Sequence, residues 1–144
     1  MSRAPRLVFA WGNPSRGDDA LGPLLAERLR ERALPGTEVL DDFQLQPEHA
    51  LDLAGRAEVL FVDASRDACA PFEVRDVGPG RDASFSSHHL SPQALLQVCV
   101  DVGVPLPPRA RVLAIRGEGF ELGAALSAAA AAHLQAALDW LVAT

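Results

Sequence analysis

The sequence of 144 residues predicts a three-layer α/β domain, with a mostly parallel sheet covered by helices on both faces. Two observations carry this. Four short apolar runs lack the polar alternation of a half-exposed sheet, as strands buried on both faces do. Segments with helical periodicity separate them, and a helix between two strands is the connection that parallel pairing requires. A chain of this length buries roughly 68 to 70% of the surface its unfolded form exposes, so residues 1–144 are expected to form one domain around a single core.

The first strand is read over Leu7 to Trp11. Leu21, Leu25 and Leu29 then recur at four-residue spacing on a helix entered through Asp18 and Asp19 and ended by Pro35-Gly36, which gives Asp18 a capping role. Glu38 to Leu40 form the second strand, and a helix begins near Pro47 with Ala50, Leu51 and Leu53 or Ala54 on its apolar face and Gly55 at its end. Val59 to Val62 are the third strand. Phe72, Val74 and Asp76 alternate with Glu73, Arg75 and Val77, the pattern of a partly exposed edge strand that suits antiparallel pairing. Gly78 to Leu90 is a loop longer than a simple connection needs. Ser91 then caps a helix with Pro92 in its first turn, a stripe of Leu95, Val98, Cys99 and Val102, and Gly103 at its close. Val112 to Ile115 make the last buried strand, and an alanine-rich helix from about Ser127 to Val142 places Leu134, Leu138 and Leu141 on one side.

Composition removes several functions. The net charge of −6 argues against a nucleic acid or an anionic membrane as the main partner. All 13 basic residues are arginine, so Schiff-base chemistry and a phosphate-binding P-loop lysine are excluded, and the absence of tyrosine excludes a phenolic acid or base. The cluster Arg28, Arg30, Glu31 and Arg32 reads as a solvated helix face. Cys69 and Cys99 stand apart without a CxxC partner, no secretory signal is read at Met1 to Trp11, and no run of about 18 apolar residues occurs, so a cytoplasmic protein is expected. Size and polar composition suit a monomer.

In open parallel sheets ligands bind beyond the carboxyl ends of the strands, and there the chain places GNPSRGDDALG (Gly12 to Gly22), Asp41 and Asp42, Asp63, and Arg116 to Glu118. The loop with Ser86, Ser87, His88 and His89 enters its helix from the same end. Two carboxylates and a neutral imidazole would neutralise a divalent cation and leave coordination positions open, a set suited to nickel, zinc, manganese or cadmium. His88 is favoured over His89 as the imidazole, and a histidine just before a helix start is held in the neutral, ligating form. Bland roles compete: helix capping by Asp18 or Asp19, loop hydrogen bonding by Asp63, a turn at Asn13, and packing or surface positions for His49 and His133. No G-x-S-x-G or H-E-x-x-H motif is present, which leaves metal or proton chemistry.

Taken in order, GNPSRGDDALG, VLFVDA with Asp63, SSHHLSPQALL with His88 and GFELGAALS before the last helix resemble the maturation endopeptidases of nickel-iron hydrogenases over nearly the whole chain. The DDFQLQPEHALDL segment from Asp41 further resembles the branch that serves soluble, NAD-linked, bidirectional hydrogenases. The resemblance implies a twisted sheet of about five strands between helices. It implies an activity that removes a short C-terminal extension from the hydrogenase large-subunit precursor after nickel insertion. It also implies that Asp19, Asp63 and His88 recognise that nickel, which the substrate supplies, and form the catalytic site. Two departures stand out: Ala20 follows the paired acids where the family often has glycine, and a second histidine, His89, neighbours His88; in addition Phe43-Gln44-Leu45-Gln46 replaces a glycine-rich turn, where it would shape the docking surface. The alternatives are a non-catalytic metal-inspection or binding protein for a metalloenzyme precursor, and a small-molecule metallohydrolase.

Overall fold

The computed structural model describes residues 3–81 and 90–144. Five strands, β1 (Arg6–Trp11), β2 (Thr37–Asp42), β3 (Glu58–Ser65), β4 (Phe72–Asp76) and β5 (Arg109–Arg116), form one sheet in the order β2-β1-β3-β5-β4. All neighbours are parallel except β4, which runs antiparallel to β5 at the edge. The carboxyl ends of β1, β2, β3 and β5 therefore share one rim of the sheet, and this is the three-layer α/β architecture the sequence predicts.

Alternate residues of each strand point to opposite faces, and two apolar layers result. Val8, Ala10, Leu60, Val62, Leu113 and Ile115 pack under α1 (Leu21–Arg32) and α4 (Ala128–Ala143), which contribute Leu21, Leu25, Leu29, Leu134, Leu138 and Leu141. Leu7, Phe9, Val59, Phe61 and Val112 pack under α2 (Ala50–Leu53) and α3 (Pro92–Val102) with Ala50, Leu53, Leu95, Leu96 and Cys99. Burial on both faces is why the central strands read as unbroken apolar runs.

The structure corrects several local readings. Leu51 and Val102 are exposed rather than part of a buried stripe. The α2 helix is a single turn, so Ala50 and Leu53, three residues apart, cover the sheet and Leu51 faces outward. At the end of α3 the chain turns through Gly103 in the left-handed region, the Val104 amide donates to the Cys99 carbonyl, and Val104 takes the packing position expected of Val102. Helix α1 ends at Arg32 with Ala33 left-handed (φ 47°), before Pro35-Gly36 is reached. Strand β3 continues past Val62 to Ser65, so Asp63 lies inside the ladder, opposite Ala114, rather than in the loop beyond it. Ser91 caps α3 as read, accepting from the Ala94 amide at 3.0 Å. Among the described residues no helix is long and apolar enough to cross a membrane.

Candidate functional site

The loop from β1 into α1 folds back on itself. Gly12 sits at φ 150°, and a β-carbon there would lie 2.1 Å from the Asp19 carbonyl oxygen, so only glycine permits this approach. The Asn13 side chain accepts from the Ser15 amide at 2.8 Å, which makes Asn13 the turn former its bland reading proposed. A 3-10 turn over Gly17–Ala20 then carries Asp18 and Asp19, with Ala20 in the right-handed region, so a glycine is not needed at that position. One carboxylate oxygen of Asp19 accepts from the Asn13 amide at 2.7 Å.

This turn packs against β3 and brings Asp19 into electrostatic range of Asp63. Burial of its carboxyl group and the nearby charge of Asp19 push the pKa of Asp63 up to about 7, while the Ala64 amide and Arg75 act in the opposite direction. The other acids at this rim have local partners. Asp41 pairs with Arg30, Asp42 lies 3.2 Å from the His49 Nε2, and Glu118 lies 3.4 Å from the Arg116 Nε. Asp63 and Asp19 are the two rim carboxylates within electrostatic range of one another, a pair that can contribute to holding a cation.

His88, and His89 beside it, lie outside the described residues. Among the described residues no group of three histidine, cysteine or acidic side chains is close enough to hold a metal ion. The two carboxylates suit a hard or borderline dication, with positions left for further ligands.

Asp18 is a correction. It does not cap α1, whose start has no side-chain cap; it is fully buried and accepts from the backbone amides of Glu118, Gly119 and Ser127 and from the Ser127 hydroxyl. Burial pushes its carboxyl up, but the hydrogen bonds from Ser127, Glu118 and Gly119 outweigh burial and leave its pKa below the ordinary range. Spacing along the chain could not show this link between residues 100 or more positions apart; the only signal was the GFELGAALS segment itself, which ends in Ser127. His49 and His133 have packing roles. The Nδ1 of His49 accepts from the Gln46 amide at 2.8 Å and its ring meets Phe9 edge-on, while the Nδ1 of His133 lies 2.9 Å from the Arg116 carbonyl.

No family model matches the chain, and no curated protein matches it in sequence. Solved structures do. A [NiFe] hydrogenase maturation protease HycI from Thermococcus kodakarensis KOD1 is similar at a TM-score of 0.76 and 20% identity, over 98% of this chain and 92% of that one. The hydrogenase maturating endopeptidase HybD from E. coli is similar at a TM-score of 0.72 and 22% identity, over 99% of this chain and 91% of that one. An endopeptidase from Escherichia coli reaches a TM-score of 0.76 at 24% identity over 99% of this chain and 91% of that one. The chain shares the fold of these proteins from end to end.

Proposed function

We propose that the chain is a cytoplasmic endopeptidase that removes the C-terminal extension of a nickel-iron hydrogenase large-subunit precursor once nickel has been inserted. The observation that carries this reading is the Asp19–Asp63 pair, held at the carboxyl rim of a sheet whose fold is shared with hydrogenase maturation proteases. Asp19, Asp63 and His88 recognise the nickel borne by the precursor, and the bound nickel presents the scissile peptide to the site. Hydrolysis then adds water across the peptide: an oxygen attacks the carbonyl carbon, the C–N bond breaks, and the released amine takes a proton. The carboxylates orient the metal-bearing segment, and the raised pKa of Asp63 makes it the group whose charge responds most to an arriving dication. In the same reading the precursor belongs to a soluble, NAD-linked, bidirectional hydrogenase, with Phe43, which is largely exposed at the end of β2, forming part of the docking surface.

The test is intact-mass analysis of nickel-loaded and nickel-free large-subunit precursor after incubation with the protein. Loss of a C-terminal peptide from the loaded form alone is expected. Asp19→Asn, Asp63→Asn and His88→Ala are each expected to slow processing by about 100-fold or more, on the scale of lost electrostatic and positioning contributions. Processing at the parent rate in all three would refute the site. A complex that forms while the precursor stays whole would replace the peptidase with a non-catalytic inspection protein.

A further inference from the structure

Asp18 stands next to Asp19 in a single 3-10 turn, yet its carboxylate serves a different part of the chain. One oxygen accepts from the Glu118 amide at 2.7 Å, the Gly119 amide at 3.1 Å and the Ser127 hydroxyl at 2.8 Å; the other accepts from the Ser127 amide at 2.8 Å. The backbones of the two loops are tied as well. The Asp18 amide donates to the Gly119 carbonyl at 2.8 Å, the Gly17 amide to the Ala124 carbonyl at 3.2 Å, and the Gly123 amide to the Ser15 carbonyl at 2.7 Å. Gly17, at φ 54°, lies so close to the Gly119 carbonyl that a β-carbon would come within 2.5 Å of it. A fully buried carboxylate thus satisfies the start of α4 and the loop after β5 together.

We infer that Asp18 is a positioning residue: by locking the β1–α1 loop to the β5–α4 loop, it sets the turn that aims Asp19 at Asp63. The inference rests on the reading of Asp19 and Asp63 as the metal-recognising pair. The Asp63 backbone is fixed by the β3 ladder, opposite Ala114. Asp19 has no such anchor. It lies beyond the end of β1, on a short turn, and the bond its carboxylate accepts comes from Asn13 in the same loop. Beyond the bond from the Gly12 amide to the Asp42 carbonyl at its start, the loop is tied to the rest of the fold through the β5–α4 loop, and the four bonds to the Asp18 carboxylate are the side-chain part of that tie. The two adjacent aspartates thus have different partners, Asp18 in the β5–α4 loop and Asp19 at the Asn13 amide of its own loop.

Asp18→Asn keeps the shape but replaces one acceptor oxygen by an NH2 donor, which faces amide or hydroxyl donors whichever way the side chain is flipped. Two readouts test the inference. Amide hydrogen exchange should show faster exchange at Asn13, whose N–H reports on the Asp19 carboxylate, by about tenfold or more in Asp18→Asn. Leu141→Ala, a core change on α4 away from the site loops, serves as the comparison for general destabilisation and should leave Asn13 protected whenever global opening is subtracted. Binding of Ni2+ alone, measured by calorimetry, should weaken by about 10- to 100-fold in Asp18→Asn, the range typical when a ligand's supporting partner is lost, and should match the parent in Leu141→Ala. Ser127→Ala, which removes the hydroxyl donor to Asp18 together with the α4 cap bond from the Ala130 amide but keeps the Asp18 carboxylate and its three amide donors, is the milder variant should Asp18→Asn fail to fold; it should show the same Asn13 effect at reduced size. Unchanged Asn13 protection in the folded variants, relative to Leu141→Ala, would overturn the positioning role and leave Asp18 a fold anchor. The exchange readout needs no metal, so it decides the positioning role even if the parent binds no free Ni2+, while the proposed function, in which the precursor brings the nickel, is decided separately by the precursor-processing test.

Discussion

At the scale of single residues, Asp63 and Asp18, whose pKa values are displaced in opposite senses, act on stability in opposite directions. Asp63 has a folded pKa of about 7, above the ordinary 3.8, because burial and the charge of Asp19 disfavour its ionised form. Between these two values the folded chain holds more protons than the unfolded one, so this group's contribution makes stability fall as pH rises from about 4 to about 7. Asp63→Asn removes that penalty. In urea unfolding with a chelator present, the variant should gain about 2.5 to 3 kcal/mol on the parent between pH 5 and pH 8, at about 1.4 kcal/mol per pH unit below the folded pKa. A constant difference between variant and parent would show that Asp63 is not raised. Asp18, whose pKa is lowered, contributes stability that is complete above about pH 4 and is lost as pH falls through its folded pKa. Subtracting the parent curve from that of Asp63→Asn cancels this acid-side term, so the neutral-pH trend belongs to Asp63 alone.

At the scale of elements, caps and ends departed from the sequence reading more than strands and helices did. The cap at Ser91 was legible, because a short hydroxyl side chain before a helical stripe has one dominant use, accepting from an amide in the first turn; Ser127, read only as the start of the last helix, caps α4 in the same way. The end of α1 was not legible. Pro35-Gly36 is the stronger stop signal in the sequence, but the chain turns earlier, at Ala33, in a left-handed conformation that costs a β-carbon about 1 to 2 kcal/mol. Ala33→Gly relieves that cost at the expense of a more flexible unfolded chain. The expected net gain is about 1 kcal/mol, or about 4 °C in the melting temperature, measured by thermal unfolding. A loss of stability would mean that the left-handed turn at Ala33 is not adopted. The same competition between local signals and packing moved Val102 out of the core: Val104 reaches the sheet after the turn at Gly103, and no period-counting rule extends past a left-handed cap.

At the scale of the whole molecule, one sheet joins two apolar layers, and we propose that residues 1–144 unfold as one cooperative unit. Trp140 packs with the layer under α1 and α4, and Trp11 packs with the layer under α2 and α3, so each face carries its own fluorescent reporter. In Trp11→Phe and in Trp140→Phe, urea unfolding followed by the remaining tryptophan should coincide with far-ultraviolet circular dichroism. Separate midpoints within either variant would divide the chain into independently folding parts.

The sequence by itself determined the α/β class, the parallel core strands, the antiparallel edge and the polar rim where Asp19 and Asp63 stand, because those follow from local periodicity and from the rule that ligands gather beyond the carboxyl ends of parallel strands. The three-dimensional packing alone decided which acids are committed elsewhere. Asp41, Asp42 and Glu118 belong to ion pairs or hydrogen bonds with Arg30, His49 and Arg116, and Asp18, a capping residue by its position in the sequence, is a buried clamp on a loop more than 100 residues away. Two adjacent aspartates are chemically the same until a fold places one against the donors of a distant loop and leaves the other within electrostatic range of Asp63, and that placement is set by contacts distant in sequence.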